Sequence, residues 1–245
     1  MEITILASGS KGNSTLIELE NTNILIDVGL PLSNLEKRLN RKMPPIDILI
    51  ITHTHGDHIK GLDSLLKKQN PEIYTIKSNL EEKTNYENIK YEKEIINKDF
   101  EINLFELSHD TPCIGISLKE QKTNKELIYI TDTGYIKQKY IKKYQNKDIY
   151  IFESNYDDDM LTEGPYPFYL KQRIRSDKGH LSNKDSSTYI EKLIGTKTKY
   201  ICLAHLSEEN NTKEKAKNQL LKQIENINEE KIIICSQTEK IKLKI

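Results

Sequence analysis

The sequence predicts an α/β fold in which two mixed β-sheets form a sandwich faced by helices. Short apolar runs alternate with helix-like segments along all 245 residues, in two blocks of strands with helices set between or after them. No internal repeat and no linker rich in Pro, Gly and Ser divides the chain, so we expect one domain over residues 1–245. The expected strands cover residues 3–7, 15–19, 24–27, 46–52, 100–107, 114–118, 127–131, 149–153, 200–204 and 232–235.

Helices are predicted between these strands, and the last two are the best defined. In SNKDSSTYIEKLIG, Ser182 or Asn183 provides an N-cap, Ile190 and Ile194 have helical spacing, and Gly195 ends the helix. The highly charged window 77–98 is expected to form a peripheral hairpin or helix. The expected helices cover residues 32–40, 58–69, 136–144, 184–194 and 212–227.

Composition excludes several classes of protein. Lys+Arg and Asp+Glu both total 37, which excludes a globally basic nucleic-acid binder but permits a local basic groove. No apolar run approaches the roughly 20 residues of a membrane span, and the N-terminal stretch MEITILASGSKGNS is unlike a signal peptide. The scattered cysteines Cys113, Cys202 and Cys235 are typical of reduced thiols, so we expect a cytoplasmic protein without a membrane partner.

The histidines lie after predicted strands or in polar turns, where α/β folds hold functional groups. The stretch ITHTHGDHIKGL is the densest: side chains two apart face the same way, so His53 and His55 can bind one ion. Asp57 and His58, at the next helix start, can bind another, and imidazole and carboxylate suit zinc, manganese or iron. The alternative, a polar loop that caps a helix at Asp57, explains none of the histidines.

THTHGDHIKGL resembles the signature of the metallo-β-lactamase superfamily, and further motifs follow the order of that family. ILID ends in Asp27, FELSHD contains His109, IYITDTG contains Asp132, and ICLAHLS contains His205. The resemblance implies a four-layer αββα sandwich of two mixed sheets, and it implies that Asp27 orients metal ligands without binding metal.

The same resemblance implies a hydrolytic centre with two divalent ions, zinc, manganese or iron. A carboxylate shared by two dications offsets their repulsion, and a water between them loses a proton near neutral pH to become a nucleophile. Asp57 is expected to act in catalysis as well as in metal binding. The implied ligands are His53, His55 and His109 for one ion, Asp57, His58 and His205 for the other, with Asp132 shared.

Two further motifs favour phosphodiester cleavage. Glu153 ends a strand in IFESNYDDDML, His180 precedes a helix in SDKGHLSN, and neither is needed as a ligand. A carboxylate hydrogen-bonded to an imidazole makes a proton donor for a leaving alkoxide. These motifs are similar to those of tRNase Z-like nucleases, and the whole set is similar to the WalJ (YycJ) branch, described as DNA exonucleases. Tyr156 departs from that branch, in which a histidine is expected.

Two more stretches allow two readings each. In GPYPFYLKQRIRSDKGH, the aromatic and basic residues can stack on and neutralise nucleic acid, or they can form a helix with its aromatics in the core and its cations facing water. Both readings can hold at once, with Lys171 and Arg175 on one face of the helix. In ASGSKGNST, backbone N–H groups either bind a phosphate or form a plain tight connection between strands, which is favoured. The candidate nucleic-acid contacts are Tyr166, Phe168, Tyr169, Lys171, Arg173 and Arg175.

The motifs together predict a dinuclear metal-dependent phosphodiesterase acting on nucleic acid, with DNA favoured over RNA and exonuclease action favoured. A metal-bridging hydroxide would attack phosphorus, and His180, oriented by Glu153, would protonate the leaving oxygen. The alternatives are an RNA-processing nuclease, a thioester or lactone hydrolase of glyoxalase type, and an inactive scaffold. The glyoxalase type gives no reason for Glu153 with His180, and the intact ligand set argues against a scaffold.

Overall fold

The computed structural model describes residues 1–76 and 88–245, and this part of the chain forms two compact units. The first unit comprises Met1–Phe105, Leu118–Lys125 and Cys235–Ile245. The second unit comprises Glu106–Ser117 and Glu126–Ile234.

A seven-stranded mixed sheet belongs to the first unit. In chain order its strands are β1 (Glu2–Ala7), β2 (Ser14–Glu18), β3 (Asn23–Ile26), β4 (Ile48–Ile50), β5 (Glu72–Tyr74), β6 (Ile89–Lys90) and β14 (Ile241–Lys244). Their order across the sheet is β14-β1-β2-β3-β4-β5-β6. Pairing is antiparallel from β14 to β3 and parallel from β3 to β6. The carboxyl ends of β3 and β4 therefore lie at the same edge of this sheet.

In its described residues the first unit contains three α-helices: α1 (Leu32–Leu39), α2 (Gly56–Ile59) and α3 (Leu62–Leu66). The helix α1 contacts β1 and α3. The prediction of one helix over residues 58–69 is wrong, because the chain turns at Gly61 between α2 and α3. The Gly61 N–H donates to the carbonyl of Val28 at 2.7 Å, and a Cβ at Gly61 would lie 1.9 Å from the carbonyl oxygen of Leu30.

A second seven-stranded sheet contains the seven strands between β6 and β14 in the chain. They are β7 (Glu94–Ile96), β8 (Phe100–Leu107), β9 (Cys113–Glu120), β10 (Lys125–Ile130), β11 (Ile149–Glu153), β12 (Tyr200–Ala204) and β13 (Ile232–Ile234). Their order is β13-β12-β11-β10-β9-β8-β7, and β10 to β13 are parallel. Every residue of β11 is buried, which is typical of a parallel strand covered on both faces.

Five helices belong to the second unit: α4 (Gln138–Lys143), α5 (Asp158–Glu163), α6 (Phe168–Arg175), α7 (Asn183–Leu193) and α8 (Lys213–Gln223). The helix α7 contacts β11, α4 and α8, and α8 contacts β13. The Ser182 side chain caps α7 by accepting from the N–H of Asp185 at 3.0 Å, which confirms the first of the two predicted caps. None of the helices in the described ranges is long and apolar enough to cross a membrane.

The structure adds short elements that the apolar pattern did not predict, namely β5, β6, β7, β14 and α5. Within the predicted peripheral segment 77–98, residues 77–87 lie outside the described residues. The remainder includes β6 and β7, which pair with β5 and β8 respectively and not with each other. Strands of two to four residues carry too little alternation to be recognised from sequence.

Candidate metal centre and active site

The first cluster of imidazoles lies in the loop between β4 and α2 and at the start of α2. The ring of His53 has its centroid 4.7 Å from that of His55 and 4.0 Å from that of His58. Asp57 and His58 lie in α2, where a carboxylate oxygen of Asp57 is 3.4 Å from His58 Nε2. His53 and His58 are completely buried. Three imidazoles and one carboxylate of the first unit therefore form one compact group.

Asp27, directly after β3, fixes the orientation of His58. Its carboxylate accepts from the N–H of Thr52 at 2.8 Å and from the Thr52 hydroxyl at 2.7 Å, and it is hydrogen-bonded to His58 Nδ1 at 2.7 Å. Burial raises the pKa of Asp27, while His58 and the hydrogen bonds from Thr52 act in the opposite direction. A carboxylate on Nδ1 directs Nε2 of the same ring toward a metal, which is the usual support of a ligand histidine.

Asn13 lies in the candidate site, although no sequence motif singled it out. Its buried amide nitrogen donates to the carbonyl of Gly9 at 3.0 Å and to the Asp57 carboxylate at 3.2 Å, and lies 3.0 Å from His58 Nε2. Its backbone N–H donates to the carbonyl of Asp57 at 2.8 Å. The only available signal was an amide residue at the end of a Gly-rich connection. Asn13 holds both the side chain and the backbone of Asp57.

The stretch ASGSKGNST is a tight connection between β1 and β2, because its backbone N–H groups donate within the protein. Gly9 donates to the Asn13 side chain, Lys11 to the Gln237 side chain, and Gly12 to the carbonyl of Gly9. These groups are therefore engaged and do not form a phosphate loop. The reading as a plain connection is supported.

Three residues of the candidate centre adopt a left-handed backbone directly after or close to a strand end. They are Asp27 (φ 57°), Asp132 (φ 59°) and His205 (φ 54°), which follow β3, β10 and β12. Every other residue in the described ranges with positive φ is a glycine or an asparagine. Asparagine, aspartate and histidine adopt this conformation more often than other residues with a side chain, but each residue held there stores backbone strain of about 1–3 kcal/mol.

A second cluster belongs to the second unit. One ligand atom from each of Asp132, Glu153, His180 and His205 lies within 4.8 Å of all the others. His205 Nε2 is 3.4 Å from an Asp132 carboxylate oxygen. The ring of His109 lies 5.1 Å from that of His180, and burial lowers the pKa of His109, which favours the neutral imidazole that binds metal.

Glu153, at the end of β11, is the centre of this second cluster. Its Oε1 lies 2.7 Å from His180 Nδ1 and 3.0 Å from His205 Nδ1, and its Oε2 accepts from the N–H groups of Thr133 and Leu181. Burial raises the pKa of Glu153, but His180 and the hydrogen bonds outweigh that effect and lower it to about 2. An ionised carboxylate therefore orients two imidazoles at once.

The donor atoms in each cluster fit a divalent metal ion. Three candidate ligand histidines have Nδ1 held by an oxygen: His58 by Asp27, His205 by Glu153, and His109 by the carbonyl of Gly179 at 3.1 Å. This arrangement is typical of metal-binding histidines that coordinate through Nε2. Imidazole nitrogens with the carboxylates of Asp57 and Asp132 suit zinc, manganese or iron. Histidine and aspartate side chains are thus positioned to bind metal.

The aromatic residues before and at the start of α6 face solvent. Phe168 is 76 % exposed and Tyr169 is 74 % exposed, Tyr166 is partly buried, and no residue of α6 is fully buried. The reading in which these aromatics pack into the core is therefore wrong for Phe168 and Tyr169. These two neighbouring rings are the most exposed of the large apolar side chains in the described ranges.

The basic residues of α6 have partners within the second unit. Arg173 Nε donates to the Asp110 carboxylate at 2.7 Å. Lys171 donates to the carbonyl of Thr162 at 2.7 Å, and Arg175 donates to the Thr162 hydroxyl. Because the Thr162 groups are neutral, Lys171 and Arg175 keep their positive charge for a further ligand.

The sequence matches a family model described as "Beta-lactamase superfamily domain" over residues 22–205. The chain belongs to the metallo-β-lactamase superfamily. This match covers about three quarters of the chain and includes the candidate ligands from His53 to His205. The family predicted from the motifs is thereby confirmed.

Relatives of this superfamily member cover nearly its whole length. The exodeoxyribonuclease WalJ of Streptococcus pneumoniae is 37% identical in an alignment 240 residues long, and this alignment covers 90% of this chain and 87% of the relative. The exodeoxyribonuclease YycJ of Bacillus anthracis is 33% identical in an alignment 229 residues long, which covers 89% of this chain and 86% of the relative. The predicted similarity to the WalJ and YycJ branch is confirmed, and so is the prediction of a metal-dependent hydrolase.

A solved structure supports the fold class. The metallo-β-lactamase fold protein YhfI from Bacillus subtilis superimposes with a TM-score of 0.75 at 17% identity and covers 98% of both chains. The predicted fold class, two mixed sheets with α-helices, is confirmed, and it is that of the metallo-β-lactamase fold.

Proposed function

We propose that this hydrolase is a metal-dependent DNA exonuclease. The observation that carries the proposal is the Glu153 carboxylate, which hydrogen-bonds both the candidate ligand His205 and His180, a histidine that the predicted ligand set does not use. An oriented imidazole beside a metal ligand is what cleavage of a phosphodiester requires, because its leaving alkoxide must be protonated. Choice of DNA over RNA, and of exonuclease over endonuclease action, is supported by the names of the WalJ and YycJ relatives.

The proposal includes a single domain over residues 1–245 that binds two divalent ions, zinc, manganese or iron. Its support is the order of the ligand motifs along the chain and their match to the superfamily. Such ions supply an activated water and stabilise negative charge on the phosphoryl oxygens. The proposed ligands are His53, His55, Asp57, His58, His109, Asp132 and His205, with Asp27 outside the ligand set as the support of His58.

In the proposed reaction His180 holds the proton that the leaving oxygen receives. Its side chain is 21% exposed, whereas Glu153 is completely buried, so the imidazole can reach a substrate while the carboxylate cannot. The Glu153 carboxylate lies 2.7 Å from His180 Nδ1 and so directs that nitrogen inward, which leaves Nε2 to give its proton to the substrate. Asp57 is proposed to act in catalysis as well as in metal binding, held by the amide and backbone of Asn13.

Binding of the nucleic acid is proposed at α6 and the turn before it. Exposed aromatic rings stack on unpaired bases, and cations beside them neutralise phosphates without net charge on the whole protein. Phe168 and Tyr169 have the exposure that stacking needs. The proposed contacts are Tyr166, Phe168, Tyr169, Lys171, Arg173 and Arg175.

We also propose that the enzyme works in the cytoplasm, where thiols stay reduced. The support is the set of three cysteines, which are buried thiols and not disulfides.

The test is cleavage of end-labelled duplex DNA, single-stranded DNA and a structured RNA by protein loaded with Mn²⁺ or Zn²⁺. Stepwise loss of nucleotides from DNA, absent in an Asp57→Ala/His58→Ala protein, is the expected result. Preferred cleavage of RNA would show that the substrate is RNA and not DNA. No cleavage of any nucleic acid by protein that retains metal would overturn the proposal and direct attention to thioester or lactone substrates.

A further inference from the structure

A cavity of about 420 Å³ lies beside α1 in the first unit, lined by Asn34, Lys37, Arg38 and Thr238. Asn34, Lys37 and Arg38 share one face of α1 by their helical spacing. The opposite face, formed by Leu32, Leu35 and Leu39, is buried. The polar face of α1 and the segment around Thr238 therefore form the walls of a groove.

Arg38 is fixed in this cavity without being neutralised. Its Nη1 donates to the carbonyls of Leu6 at 3.0 Å and Gln237 at 2.7 Å. Burial lowers the pKa of Arg38, yet a guanidinium remains charged at neutral pH. Within the described ranges no carboxylate lies within salt-bridge distance of Arg38, and its Nε and Nη2 groups make no hydrogen bond. Three N–H donors of an oriented cation are thus available to a ligand.

The lining of the cavity carries positive charge and no acid. Lys37 is exposed and forms no ion pair with any residue in the described part of the chain. Glu36, its neighbour, is paired with Lys42 at 3.4 Å and accepts from the N–H of Met43. Two cations with the amide of Asn34 and the hydroxyl of Thr238 make a set of donors that suits phosphate oxygens.

Hydrogen bonds connect this cavity to the connection that holds Asp57. Gln237, whose carbonyl binds Arg38, accepts from the N–H of Lys11 at 2.8 Å and donates to the carbonyl of Gly12 at 3.1 Å through its side chain. The next residue, Asn13, binds Asp57. A series of hydrogen bonds at one edge of the first sheet thus connects the cavity with the candidate metal ligand Asp57.

We propose that the cavity of Asn34, Lys37, Arg38 and Thr238 is a phosphate subsite that holds a backbone phosphate of the nucleic-acid substrate away from the cleaved bond. This inference rests on the proposed function. A fixed guanidinium provides two parallel donors to one phosphate, and Lys37 adds a charge that salt can screen.

The test compares binding of labelled single-stranded oligonucleotides of increasing length by the full-length wild-type protein with that by Lys37→Ala and Lys37→Glu. Lys67→Ala, an exposed lysine of the same unit, is the matched control. Lys37→Ala is expected to weaken binding at least about threefold for all sequences and to reduce the slope of log K against log[salt] by about 1. Lys37→Glu is expected to weaken binding further, and Lys67→Ala to bind like the wild type.

The outcomes separate this inference from the proposed function. If the wild type binds and cleaves DNA but both Lys37 variants bind DNA like Lys67→Ala, the proposed phosphate subsite is wrong, whereas the proposed nuclease function is retained. If the wild type neither binds nor cleaves nucleic acid, the proposed function fails and this subsite fails with it. Binding of inorganic phosphate and of a nucleoside monophosphate is measured in parallel by ³¹P NMR. If the Lys37 variants lose only these ligands, the cavity binds free phosphate compounds and not a strand.

Discussion

Glu153 Oε1 lies 2.7 Å from His180 Nδ1 and 3.0 Å from His205 Nδ1, so one buried oxygen orients the proposed proton donor and a proposed metal ligand together. The two histidines have distinct roles in the proposed mechanism, although they share this partner. Substitutions at His180 and at Glu153 should therefore differ in a predictable way.

His180→Asn is expected to reduce turnover about 10²- to 10⁴-fold with metal content unchanged, because only the proton donor is lost. Glu153→Gln is expected to reduce turnover and also to weaken metal binding about 10- to 100-fold, because His205 loses its charged support. Turnover and metal content are measured on the same samples, with the exposed Glu163→Gln as control. Wild-type turnover in a His180→Asn protein that binds metal normally would remove the donor from the mechanism.

Asn13→Ala is expected to weaken metal binding about 10-fold or more, as loss of a residue that supports a ligand usually does. The amide holds the Asp57 carboxylate at 3.2 Å and lies 3.0 Å from His58 Nε2. Competition with a chromogenic chelator measures the affinity. Asn218→Ala, on the exposed face of α8, should leave it unchanged. Equal affinities of the two variants would show that Asn13 does not support the centre.

Gly29→Ala is expected to lower the free energy of unfolding by about 1–3 kcal/mol, because a methyl group there would overpack against the backbone of Asp57 and Asn13. A Cβ at Gly29 would lie 1.8 Å from the carbonyl oxygen of Asp57 and 2.4 Å from the backbone nitrogen of Asn13. Gly56→Ala is the matched control, since a Cβ at Gly56 meets nothing within 4 Å and alanine favours helix α2. Urea unfolding of metal-free protein measures both, and similar midpoints would contradict the prediction.

Tyr150→Phe is expected to cost about 1–3 kcal/mol of unfolding free energy without changing metal binding, because it leaves buried backbone groups unsatisfied. Tyr150 is completely buried, and its hydroxyl lies 2.8 Å from the carbonyls of Tyr144 and Leu193. The same hydroxyl accepts from the N–H of Lys147 at 2.9 Å. Urea unfolding measures the effect, and Tyr169→Phe, which changes an exposed ring, is the control. A loss below about 0.5 kcal/mol would contradict this role of the hydroxyl.

Phe168→Ala is expected to weaken binding of single-stranded DNA by about 1–3 kcal/mol, the usual contribution of a stacked base. Stability should not change, since the ring is 76% exposed. Ile96→Ala removes another apolar side chain, which is 60% exposed, and controls for loss of exposed apolar surface. Binding is measured by fluorescence anisotropy. Equal affinities for Phe168→Ala and Ile96→Ala would exclude stacking at this position.

Most of the regular structure could be predicted from local pattern. The Ser182 cap and the apolar spacing of Ile190 specify α7 within one stretch. The separation of α2 from α3 could not be predicted from local pattern. The turn at Gly61 depends on the carbonyls of Val28 and Leu30, about thirty residues earlier in the chain.

The sequence by itself determined which side chains end the strands, and with them the family and the metal-binding chemistry. A motif such as THTHGDH is recognisable because ligand types and their spacing are local properties of the chain. Only the tertiary structure decided that Asn13 binds Asp57, that one oxygen of Glu153 serves both His180 and His205, and that Arg38 lines a cavity. These contacts join segments separated by 27 to 52 residues or more in the chain, and such pairings depend on how strands are ordered in a sheet and not on local pattern.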